Sequence, residues 1–365
     1  MKPSSVSTAV PTVRTGQGYT QLTRGEFGKR YGMQFYDPAF DGVREEIDRL
    51  TEIAWAAYLE GRKSARTQAA GPEFADAAQE LSVQWLETRA ALREAEAKQQ
   101  DGAGEARILV ICASPRTDET CPGEMSKTFR IATALCAQIG RAGGFTTDLL
   151  DLSRLSSEYG RTIFPCKGCV STAMPLCHRP CSCYPHHGLG QVHDWMQEIY
   201  PQWVAAHGVM IVTPVHWNQA PSGLKLMMDR LVCADGGNPD PTTTDGKDAA
   251  KAKALELAGW PYPRHLAGRI FSVIVHGDTE GTDVVRQVLH DWLTGMELVP
   301  AGPAAEFGRY IGYFEPYATS HEALDRDAAF MQEAANAATT LMEAVTEMRR
   351  GRETPGHDVE SPRPK

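Results

Sequence analysis

Residues 106–114, "ARILVICAS", form a short apolar run with polar residues on both sides. A run of this length and composition is typical of a strand that is buried on both faces of a parallel sheet. Two similar runs follow later in the chain, "GVMIVTPVHW" at 208–217 and "RIFSVIVHGD" at 269–278. Helical patterns lie between these runs, so the chain is predicted to form repeated strand–helix–strand units and an α/β fold with a parallel sheet.

Two further strand candidates complete the predicted sheet, "TTDLLDLS" at 146–153 and the start of "ELVPAG" at 297–302. Five strands suit the flavodoxin-like order 2-1-3-4-5, with helices on both faces of the sheet. In sheets of this kind, ligands bind outside the carboxyl ends of the strands, where the strand order reverses. The loops after the first, third and fourth strands are therefore expected to carry the functional site.

The chain divides by composition into one large domain and flanking segments. Apolar residues at three- and four-residue spacing predict amphipathic helices at 41–61 and 76–99, before the first strand. Polar composition at both ends predicts disorder there. The predicted organisation is a disordered N-terminus at 1–20, a helical extension at 21–104, a flavodoxin-like domain at 105–350 with a Cys-rich loop at 164–187, and a disordered tail at 351–365.

Charge and hydropathy exclude several classes of function. The 365 residues carry a formal net charge of −9, which argues against a general nucleic-acid binder. No apolar run reaches the roughly 18 residues of a transmembrane helix, and the N-terminus lacks the pattern of a secretory signal. We therefore expect a cytoplasmic protein with no nucleic-acid or membrane partner, whose thiols stay reduced.

The loop after the first strand, "ASPRTDETCPGEMSKTFR", leads into a predicted helix. A helix N-terminus presents N–H groups and partial positive charge, which favours the binding of a phosphate. "CPGEMSKT" lacks the framing glycines of a P-loop, so a nucleoside triphosphatase is not predicted, and an ordinary helix cap is the alternative. The candidate phosphate-binding residues are Ser114, Arg116, Ser126, Lys127 and Thr128.

The loops after the third and fourth strands offer surfaces for a flat ring. His216 and Trp217 have planar side chains, and Gly277 lets the backbone approach a ligand closely. His216 and His276 are also candidates to supply protons near neutral pH. The alternatives are core packing for Trp217 and a structural role for each histidine, and no catalytic residue is assigned. The candidate ring-binding residues are Thr213, Pro214, Val215, His216, Trp217, Asn218, His276 and Gly277.

These motifs resemble those of the NADPH-dependent FMN reductase and iron–sulfur flavoprotein branch of the flavodoxin-like superfamily. The resemblance rests on "SPR" and "SKT" after the first strand and on "TPVHW" and "PSGLKLMMDR" after the third, and it covers about residues 106–300. It implies an FMN-dependent oxidoreductase whose first loop binds the FMN phosphate, while the residues from Thr213 to Asn218 line the isoalloxazine ring. It further implies that electrons come from NAD(P)H or a redox partner and pass to a quinone, a flavin or another small acceptor.

Five cysteines crowd into one loop with the spacing Cys166-x2-Cys169-x7-Cys177-x3-Cys181-x-Cys183. In a reducing compartment, such a group favours metal binding or redox chemistry over a disulfide framework, because thiolates ligate zinc and iron–sulfur clusters. The resemblance implies a 4Fe–4S cluster, since the iron–sulfur flavoproteins open a cysteine motif in this region with a similar "PC-x-GC". The second gap of that motif is normally two residues, whereas here it is seven.

Two alternatives to the cluster remain open at this point. One is zinc, bound by four of the loop cysteines or with His178 as a ligand, and the other is a set of metal-free thiols that act as a redox switch. The cysteines at 112, 136 and 233 are interpreted as buried small apolar residues. A non-catalytic electron carrier or binding module with a zinc-stabilised loop is therefore the alternative function.

The helical extension carries large aromatic side chains, Trp55, Tyr58 and Trp85. Helices that cannot bury an apolar face alone must dock on the core or on another chain. If exposed, these three side chains would form an unusually large apolar patch. We therefore predict a subunit interface at the extension and a homo-oligomer.

Overall fold

The structure is a computed structural model, and it describes residues 21–61, 64, 66–120, 125–184 and 194–352. Apart from 351 and 352, the termini predicted to be disordered lie outside the described residues, as does the end of the cysteine loop. The strands are β1 (Thr67–Ala69), β2 (Glu80–Ser82), β3 (Ala106–Cys112), β4 (Phe145–Asp151), β5 (Gly208–Pro214), β6 (Ile270–Gly277), β7 (Val299–Pro300) and β8 (Glu306–Tyr310). The helices are α1 (Arg24–Gly32), α2 (Arg44–Glu60), α3 (Val83–Gln100), α4 (Lys127–Arg141), α5 (Arg154–Ser157), α6 (Met196–Ala205), α7 (Ser222–Gly236), α8 (Ala249–Leu257), α9 (Thr282–Gly295), α10 (Tyr317–Arg326) and α11 (Ala328–Arg349).

The central sheet has the predicted flavodoxin-like order, and its strand pairings are parallel. Strand β3 lies between β4 and β5, and β6 lies on the far side of β5. The fifth position is divided, because β7 pairs with the start of β6 and β8 pairs with its end. Pro300 has no N–H group to extend the ladder, and Gly302 has a φ of 142°, so the chain leaves the sheet between β7 and β8.

The sheet separates two hydrophobic cores, because alternate residues of each strand face opposite sides. Ile108 and Val110 of β3 belong to the core under α4 and α11. Leu109 and Ile111 belong to the core under α3, α6, α7 and α9. Helices therefore cover both faces, as predicted, and the loops at the carboxyl ends of β3, β5 and β6 meet at one edge of the sheet.

The later part of the N-terminal extension packs on the chain's own core. Helix α3 follows the small antiparallel hairpin of β1 and β2, and it lies against α6. Trp85 is buried beside Phe74, and its indole N–H donates to the Pro180 carbonyl at 2.8 Å. Trp85 therefore does not contribute to an exposed apolar patch, because α3 packs against α6 and its Trp85 side chain contacts the cysteine loop.

Helices α1 and α2 form a hairpin that aromatic side chains hold together. The ring of Phe27 lies 5.4 Å from that of Trp55 and 5.0 Å from that of Tyr58, between centroids. Trp55 and Tyr58 are consequently half-buried within the hairpin. On α2, however, Leu50 is 46% exposed and Ile53 is 61% exposed, so this helix presents apolar side chains to solvent.

The C-terminal segment is divided into two helices, α10 and α11. Asp327 separates the two helices, and its carboxylate caps α11 by accepting from the Phe330 N–H at 2.9 Å. The backbone of an N-cap residue is not helical, so Asp327 interrupts the helix between α10 and α11. Among the described helices, none has the length and apolar composition that a membrane span requires.

Candidate functional site

Strand β3 ends at the residues predicted to bind a phosphate. Ser114 is buried directly after the strand, and its hydroxyl accepts a hydrogen bond from the Arg116 N–H at 3.2 Å. Ser126 is the N-cap of α4, and its hydroxyl accepts from the Phe129 N–H at 3.3 Å. The positive end of this 15-residue helix therefore lies at the carboxyl edge of the sheet, and a helix N-terminus favours the binding of an anion.

Two of the predicted phosphate-binding side chains are engaged inside the protein. Lys127 Nζ donates to the Ile311 carbonyl at 3.1 Å and to the Ser320 hydroxyl at 3.2 Å. Thr128 Oγ1 lies 2.9 Å from His276 Nε2. These contacts tie α4 to β6 and to the segments after β8, and they argue against direct phosphate contacts from the two side chains.

His276 lies beneath α4 rather than at the open edge. Its side chain is 3% exposed, and burial, with a smaller contribution from Lys127, lowers its pKa to about 3. A buried imidazole loses the water that would stabilise its charged form, so His276 is neutral at physiological pH. Of the two alternatives for His276, its burial and its contact with Thr128 therefore favour a structural role over the supply of protons near neutral pH.

A tight turn with an exposed indole at its tip follows β5. The backbone N–H groups of His216 and Gln219 each donate to the other's carbonyl at 2.9 Å. Between them, Trp217 has a φ of 50° and Asn218 a φ of 59°, the paired left-handed conformation of a type I′ turn. Trp217 is 96% exposed, so the alternative of core packing for this side chain is wrong.

The residues just before this turn anchor it to the sheet. Thr213 is buried, and its hydroxyl donates to the Pro214 carbonyl at 3.0 Å. Val215 is also buried, and its N–H donates to the His276 carbonyl at 2.9 Å. His216 is the first exposed residue, and partial burial of its ring lowers its pKa, which Asp278 opposes.

The loop after β6 approaches the turn closely at Gly281. This residue has a φ of 106°, and a Cβ atom there would lie 2.4 Å from Asn218 Oδ1 and 3.0 Å from Asn218 Cα. Only glycine fits such a contact and such a conformation without displacement. At Gly277, a Cβ atom would lie 3.4 Å from Val215 Cβ, so this glycine is less constrained.

A cavity of about 510 Å³ opens beside the loop that is predicted to bind a phosphate. Arg116 and Ser126 line it from one side, and Asp151, Ser153 and Arg154 line it from the end of β4. The lining combines guanidinium groups, hydroxyls and carboxylates, so the cavity suits a polar ligand. It lies at the point where β3, the first strand of the sheet, adjoins β4.

The cysteine region contains four thiols that contact one another in series. The Sγ atoms of Cys169 and Cys183 lie 3.4 Å apart, and the thiol of Cys181 interacts with those of Cys183 and Cys233. We call these four residues the sulfur chain. From the sequence, Cys233 is interpreted as an apolar core residue. In the structure it belongs to the sulfur chain, because α7 packs against the cysteine loop. No local sequence signal indicates that Cys233 lies beside the loop cysteines.

The other two predicted metal ligands lie beside the sulfur chain. Cys177 is buried, and it lies within electrostatic range of Cys181 and Cys233. Cys166 is half-exposed, and its sulfur accepts from the Gly168 N–H at 3.3 Å. Cys166 also lines a second cavity, with a volume of about 540 Å³, between α7 and α9.

Lys247 brings a positive charge to the sulfur chain. Its ammonium lies 3.7 Å from Cys169 Sγ and donates to the Leu176 carbonyl. The hydrogen bond with Cys183, supported by Lys247, lowers the pKa of Cys169 to about 7 although burial opposes it. Burial alone would lower the pKa of Lys247, but the surrounding thiols raise it.

A second cation lies on α7, next to Cys181. Arg230 is 2% exposed and pairs with the equally buried Asp194. Its guanidinium also donates to the Phe164 carbonyl at 2.8 Å and lies 4.9 Å from the centre of the Tyr184 ring. This ion pair holds the start of the cysteine loop against α7.

His178 is not oriented as a metal ligand. Its Nδ1 lies 2.6 Å from the Ser182 hydroxyl and its Nε2 lies 2.8 Å from the Thr244 hydroxyl, so both ring nitrogens have partners. This geometry argues against the zinc alternative that uses His178. Across the described residues, no three His, Cys, Asp or Glu side chains converge as ligands of one metal ion.

The donor set nevertheless fits a metal–thiolate cluster. In a polynuclear cluster each thiolate binds a different metal atom, so the sulfur atoms do not converge on one point. The sulfur chain supplies four thiols. The hydrogen bond with Cys183, supported by Lys247, favours the thiolate of Cys169, whereas contacts with neighbouring thiols raise the pKa of Cys181 and Cys183, and burial raises that of Cys233. The loop thus has the ligand type of such a cluster, and its surroundings favour the thiolate form at Cys169.

Comparison with known proteins identifies the family. The sequence profile of the NADPH-dependent FMN reductase family matches residues 106–309. An iron–sulfur flavoprotein of Methanosarcina thermophila is 24% identical over 202 residues, which are 55% of this chain and 80% of that protein. Another from Methanocaldococcus jannaschii is 28% identical over 126 residues, 34% of this chain and 51% of that protein.

A solved NAD(P)H:quinone oxidoreductase from Methanothermobacter marburgensis is 16% identical, with a TM-score of 0.38, over 66% of this chain and 96% of that one. The family match is the stronger finding, because it spans more than half of the chain and includes the loops after β3, β5 and β6. The chain therefore belongs to the NADPH-dependent FMN reductase family and is an NAD(P)H-dependent FMN oxidoreductase.

Proposed function

We propose that this enzyme binds FMN non-covalently at the carboxyl edge of the sheet and reduces a quinone, a flavin or another small acceptor. The observation that carries the proposal is the placement of two features at this edge, the capped N-terminus of α4 and the His216–Gln219 turn. They follow β3 and β5, which are neighbours in the sheet. A phosphate at the helix and a flat ring at the turn fit the two ends of FMN.

FMN supplies the redox chemistry when it is bound, and the protein binds and orients it. In this proposal, Ser114, Arg116 and Ser126 bind the phosphate together with backbone N–H groups at the start of α4. Trp217 offers an exposed indole face for stacking on the flavin ring or on a substrate. Gly281 keeps the loop after β6 against the turn, so that backbone lines the polar edge of the ring.

We further propose that the cysteine region holds an iron–sulfur cluster, which supplies one-electron transfer when it is bound. The sulfur chain and the adjacent Lys247 support this assignment, as do the names of the two archaeal relatives. Helix α7 begins after the ring-binding loop and carries Cys233 near its other end. One helix thus connects the proposed flavin site with the proposed cluster site.

The test is an anaerobic preparation of the full chain, analysed for flavin, iron, sulfide and zinc. The proposal expects FMN, iron and acid-labile sulfide in the purified protein, and oxidation of NADH or NADPH when a quinone or free flavin is added. A colourless protein that contains stoichiometric zinc and oxidises neither nucleotide would instead support the non-catalytic module. The cytoplasmic location expected from the sequence stays a prediction.

A further inference from the structure

A second exposed aromatic side chain lies at the same edge of the sheet as Trp217. Phe314 is 95% exposed, in the turn between β8 and α10. Its backbone φ is 56° and that of Tyr313 is 57°, so this turn repeats the paired left-handed conformation of Trp217 and Asn218. Bulky residues rarely adopt this conformation, and an exposed phenyl ring contributes little to packing. Stability therefore does not account for phenylalanine at this position.

Contacts on both sides hold this turn in place. The Tyr313 hydroxyl donates to Asp327 Oδ2 at 3.2 Å. A Cβ atom on Gly312 would lie 2.5 Å from the Tyr310 hydroxyl oxygen and 2.8 Å from Asp278 Cβ. The turn thus packs tightly against the end of β8 and against the loop after β6, so its exposed tip has a defined position.

The two turns with exposed aromatic tips flank the loop after β6. Strands β5 and β8 pair with opposite edges of β6. Neighbouring strands lie about 4.8 Å apart, so the two turns begin about 10 Å from each other. Gly281 contacts the first turn and Asp278 contacts the second. A flat molecule over this loop therefore lies within reach of both Trp217 and Phe314.

Tyr310 enlarges the aromatic surface beside Phe314. Its side chain is 46% exposed, and the centre of its ring lies 5.4 Å from that of Phe314. We call Tyr310 and Phe314 the aromatic pair. Aromatic side chains attract flat rings by offset and edge-to-face stacking. An exposed pair of this kind, next to the proposed flavin site, therefore fits a flat aromatic ligand.

Three carboxylates accompany the aromatic pair, in the loop after β6 and in the Phe314 turn. Asp278, Glu280 and Glu315 are exposed there, and Arg326 offsets one charge by lying 3.6 Å from Glu315. Carboxylates repel the phosphates of a nicotinamide nucleotide, whereas the guanidinium groups that attract phosphates line the cavity beside β4. The surroundings therefore favour an uncharged ring over a nucleotide.

We propose that Tyr310 and Phe314 bind the electron acceptor, an uncharged flat quinone, beside the proposed FMN ring. The inference rests on the FMN-dependent function proposed above and names the acceptor class within it. In the overall reaction, NAD(P)H supplies a hydride equivalent, solvent supplies a proton, and the quinone becomes a hydroquinone. The aromatic pair transfers neither electrons nor protons. It orients the quinone and so sets the preference among acceptors.

The test is steady-state kinetics of the full chain with bound FMN and with menadione as the acceptor. Phe314→Ala should raise the KM for menadione about fivefold, because it removes a stacking partner, and should leave kcat nearly unchanged. Phe314→Trp, which keeps an aromatic ring, should have a KM close to that of the wild type. Tyr36→Ala is the matched control, because Tyr36 is an aromatic residue of the N-terminal extension that is 82% exposed.

Unfolding in urea separates binding from structure. Phe314→Gly should be at least as stable as the wild type, because glycine adopts a positive φ without strain. Its KM for menadione should nevertheless rise as in Phe314→Ala. A structural role for Phe314 predicts the reverse, a loss of stability with an unchanged KM, and that result would overturn the proposal.

The preference for an uncharged ring is tested with an anionic naphthoquinone sulfonate. In the wild type, its KM should exceed that of menadione, and Glu280→Gln should lower the ratio of the two KM values about twofold. An unchanged ratio would overturn the role of the carboxylates. A rise in the KM for NADH or NADPH in Phe314→Ala, with that for menadione unchanged, would instead assign the aromatic pair to the nucleotide.

The failure of this inference and the failure of the proposed function give different results. Wild-type protein that binds no FMN, or that oxidises neither nucleotide with menadione or with ferricyanide, would overturn the proposed function and the inference with it. Wild-type protein that reduces ferricyanide, an acceptor without an aromatic ring, but not menadione would overturn only the inference. The same holds if menadione is reduced with an equal KM by the wild type and by folded Phe314→Ala.

Discussion

Gly281 is the residue at which backbone conformation and packing limit the choice of side chain most strictly in the candidate flavin site. Its φ of 106° is unfavourable for any residue with a Cβ atom, and Asn218 occupies the space that a Cβ atom would need. The contact joins two loops that come from different strands, β5 and β6. A change at this position is therefore expected to affect both stability and the shape of the ring-binding edge.

Gly281→Ala should lower stability by more than the approximately 1 kcal/mol that a positive φ costs an alanine, and should weaken FMN binding. Gly259→Ala is the matched control, because Gly259 has a φ of 99° but no neighbouring atom within 4 Å of the place that a Cβ atom would occupy. Urea unfolding and FMN titration followed by flavin fluorescence measure the two effects. Equal losses of stability in both variants would show that the Asn218 contact contributes nothing.

His276→Gln should reduce the loss of stability at acid pH. The folded protein holds the pKa of His276 at about 3, below the ordinary value of 6.5, so the unfolded chain binds more protons between these values. The stabilising contribution of neutral His276 is therefore complete above about pH 6.5 and is lost as the pH falls toward 3. At about pH 5, this loss amounts to about 2 kcal/mol.

Urea unfolding at about pH 7.5 and about pH 5 measures this effect. The side-chain amide of glutamine can form a hydrogen bond with the Thr128 hydroxyl. It can thus replace the 2.9 Å contact between Thr128 Oγ1 and His276 Nε2. His216→Gln, at an exposed position, is the control, and it should change the pH dependence of stability less than His276→Gln, since the pKa of His216 is lowered by only partial burial. The prediction would be contradicted if the free energy of unfolding fell as steeply between these two pH values in His276→Gln as in the wild type.

At the scale of the element, the N-terminus of α4 is expected to contribute both to the stability of the fold and to the proposed binding of FMN. Ser126→Ala removes the cap and should cost about 1 kcal/mol of stability, and it should also weaken FMN binding. Asp248→Ala removes the cap of α8, which lies away from the proposed flavin edge, and should lower stability by a similar amount. FMN affinity should fall only in Ser126→Ala, and an equal fall in both variants would mean that the cap acts through stability alone.

Helix α7 illustrates how one element connects the two proposed sites. Its first residues follow the His216–Gln219 turn, and its later residues include Arg230 and Cys233, which face the cysteine loop. The periodicity of the sequence indicates the helix but assigns Cys233 to the apolar core. Which neighbour a buried face meets depends on the packing of distant segments, and periodicity does not contain that information.

At the scale of the whole molecule, the α1–α2 hairpin is the part with the most exposed apolar side chains on a helix face. In the part of the chain that the structure describes, the two helices contact each other and the short turns beside them, and Leu50 and Ile53 face solvent. The predicted homo-oligomer would bury these side chains against a second copy of the chain. The predicted interface is confined to α1 and α2, since α3 already docks on the core.

Leu50→Glu combined with Ile53→Glu should convert the oligomer into a monomer, because burying two carboxylates in an apolar interface is unfavourable. Light scattering coupled to size-exclusion chromatography measures the change in mass. Leu257→Glu is the control, because Leu257 on α8 is also exposed, at 62%, and should leave the mass unchanged. A monomeric wild-type protein would contradict the predicted interface.

Much of the fold could be predicted, because apolar runs such as 106–114 have few ways to be buried other than as central strands of a parallel sheet. The predicted strand order is confirmed, and so is the family. The split of the fifth strand, the hairpin of β1 and β2 and the helix α8 were not predicted. Each is short or has a weak apolar pattern, and its structure depends on contacts with segments far away in the chain.

The strand–helix alternation, the edge at which the loops meet, and the residue types that suit a phosphate and a flat ring can all be read from the sequence. These properties follow from local pattern and from the topology of parallel sheets. The burial of His276 under α4, the exposure of Trp217, and the approach of Cys233 and Lys247 to the cysteine loop emerge only in the folded chain. The physical reason is that burial and contact arise from the packing of whole elements against one another, whereas the local pattern specifies only the elements.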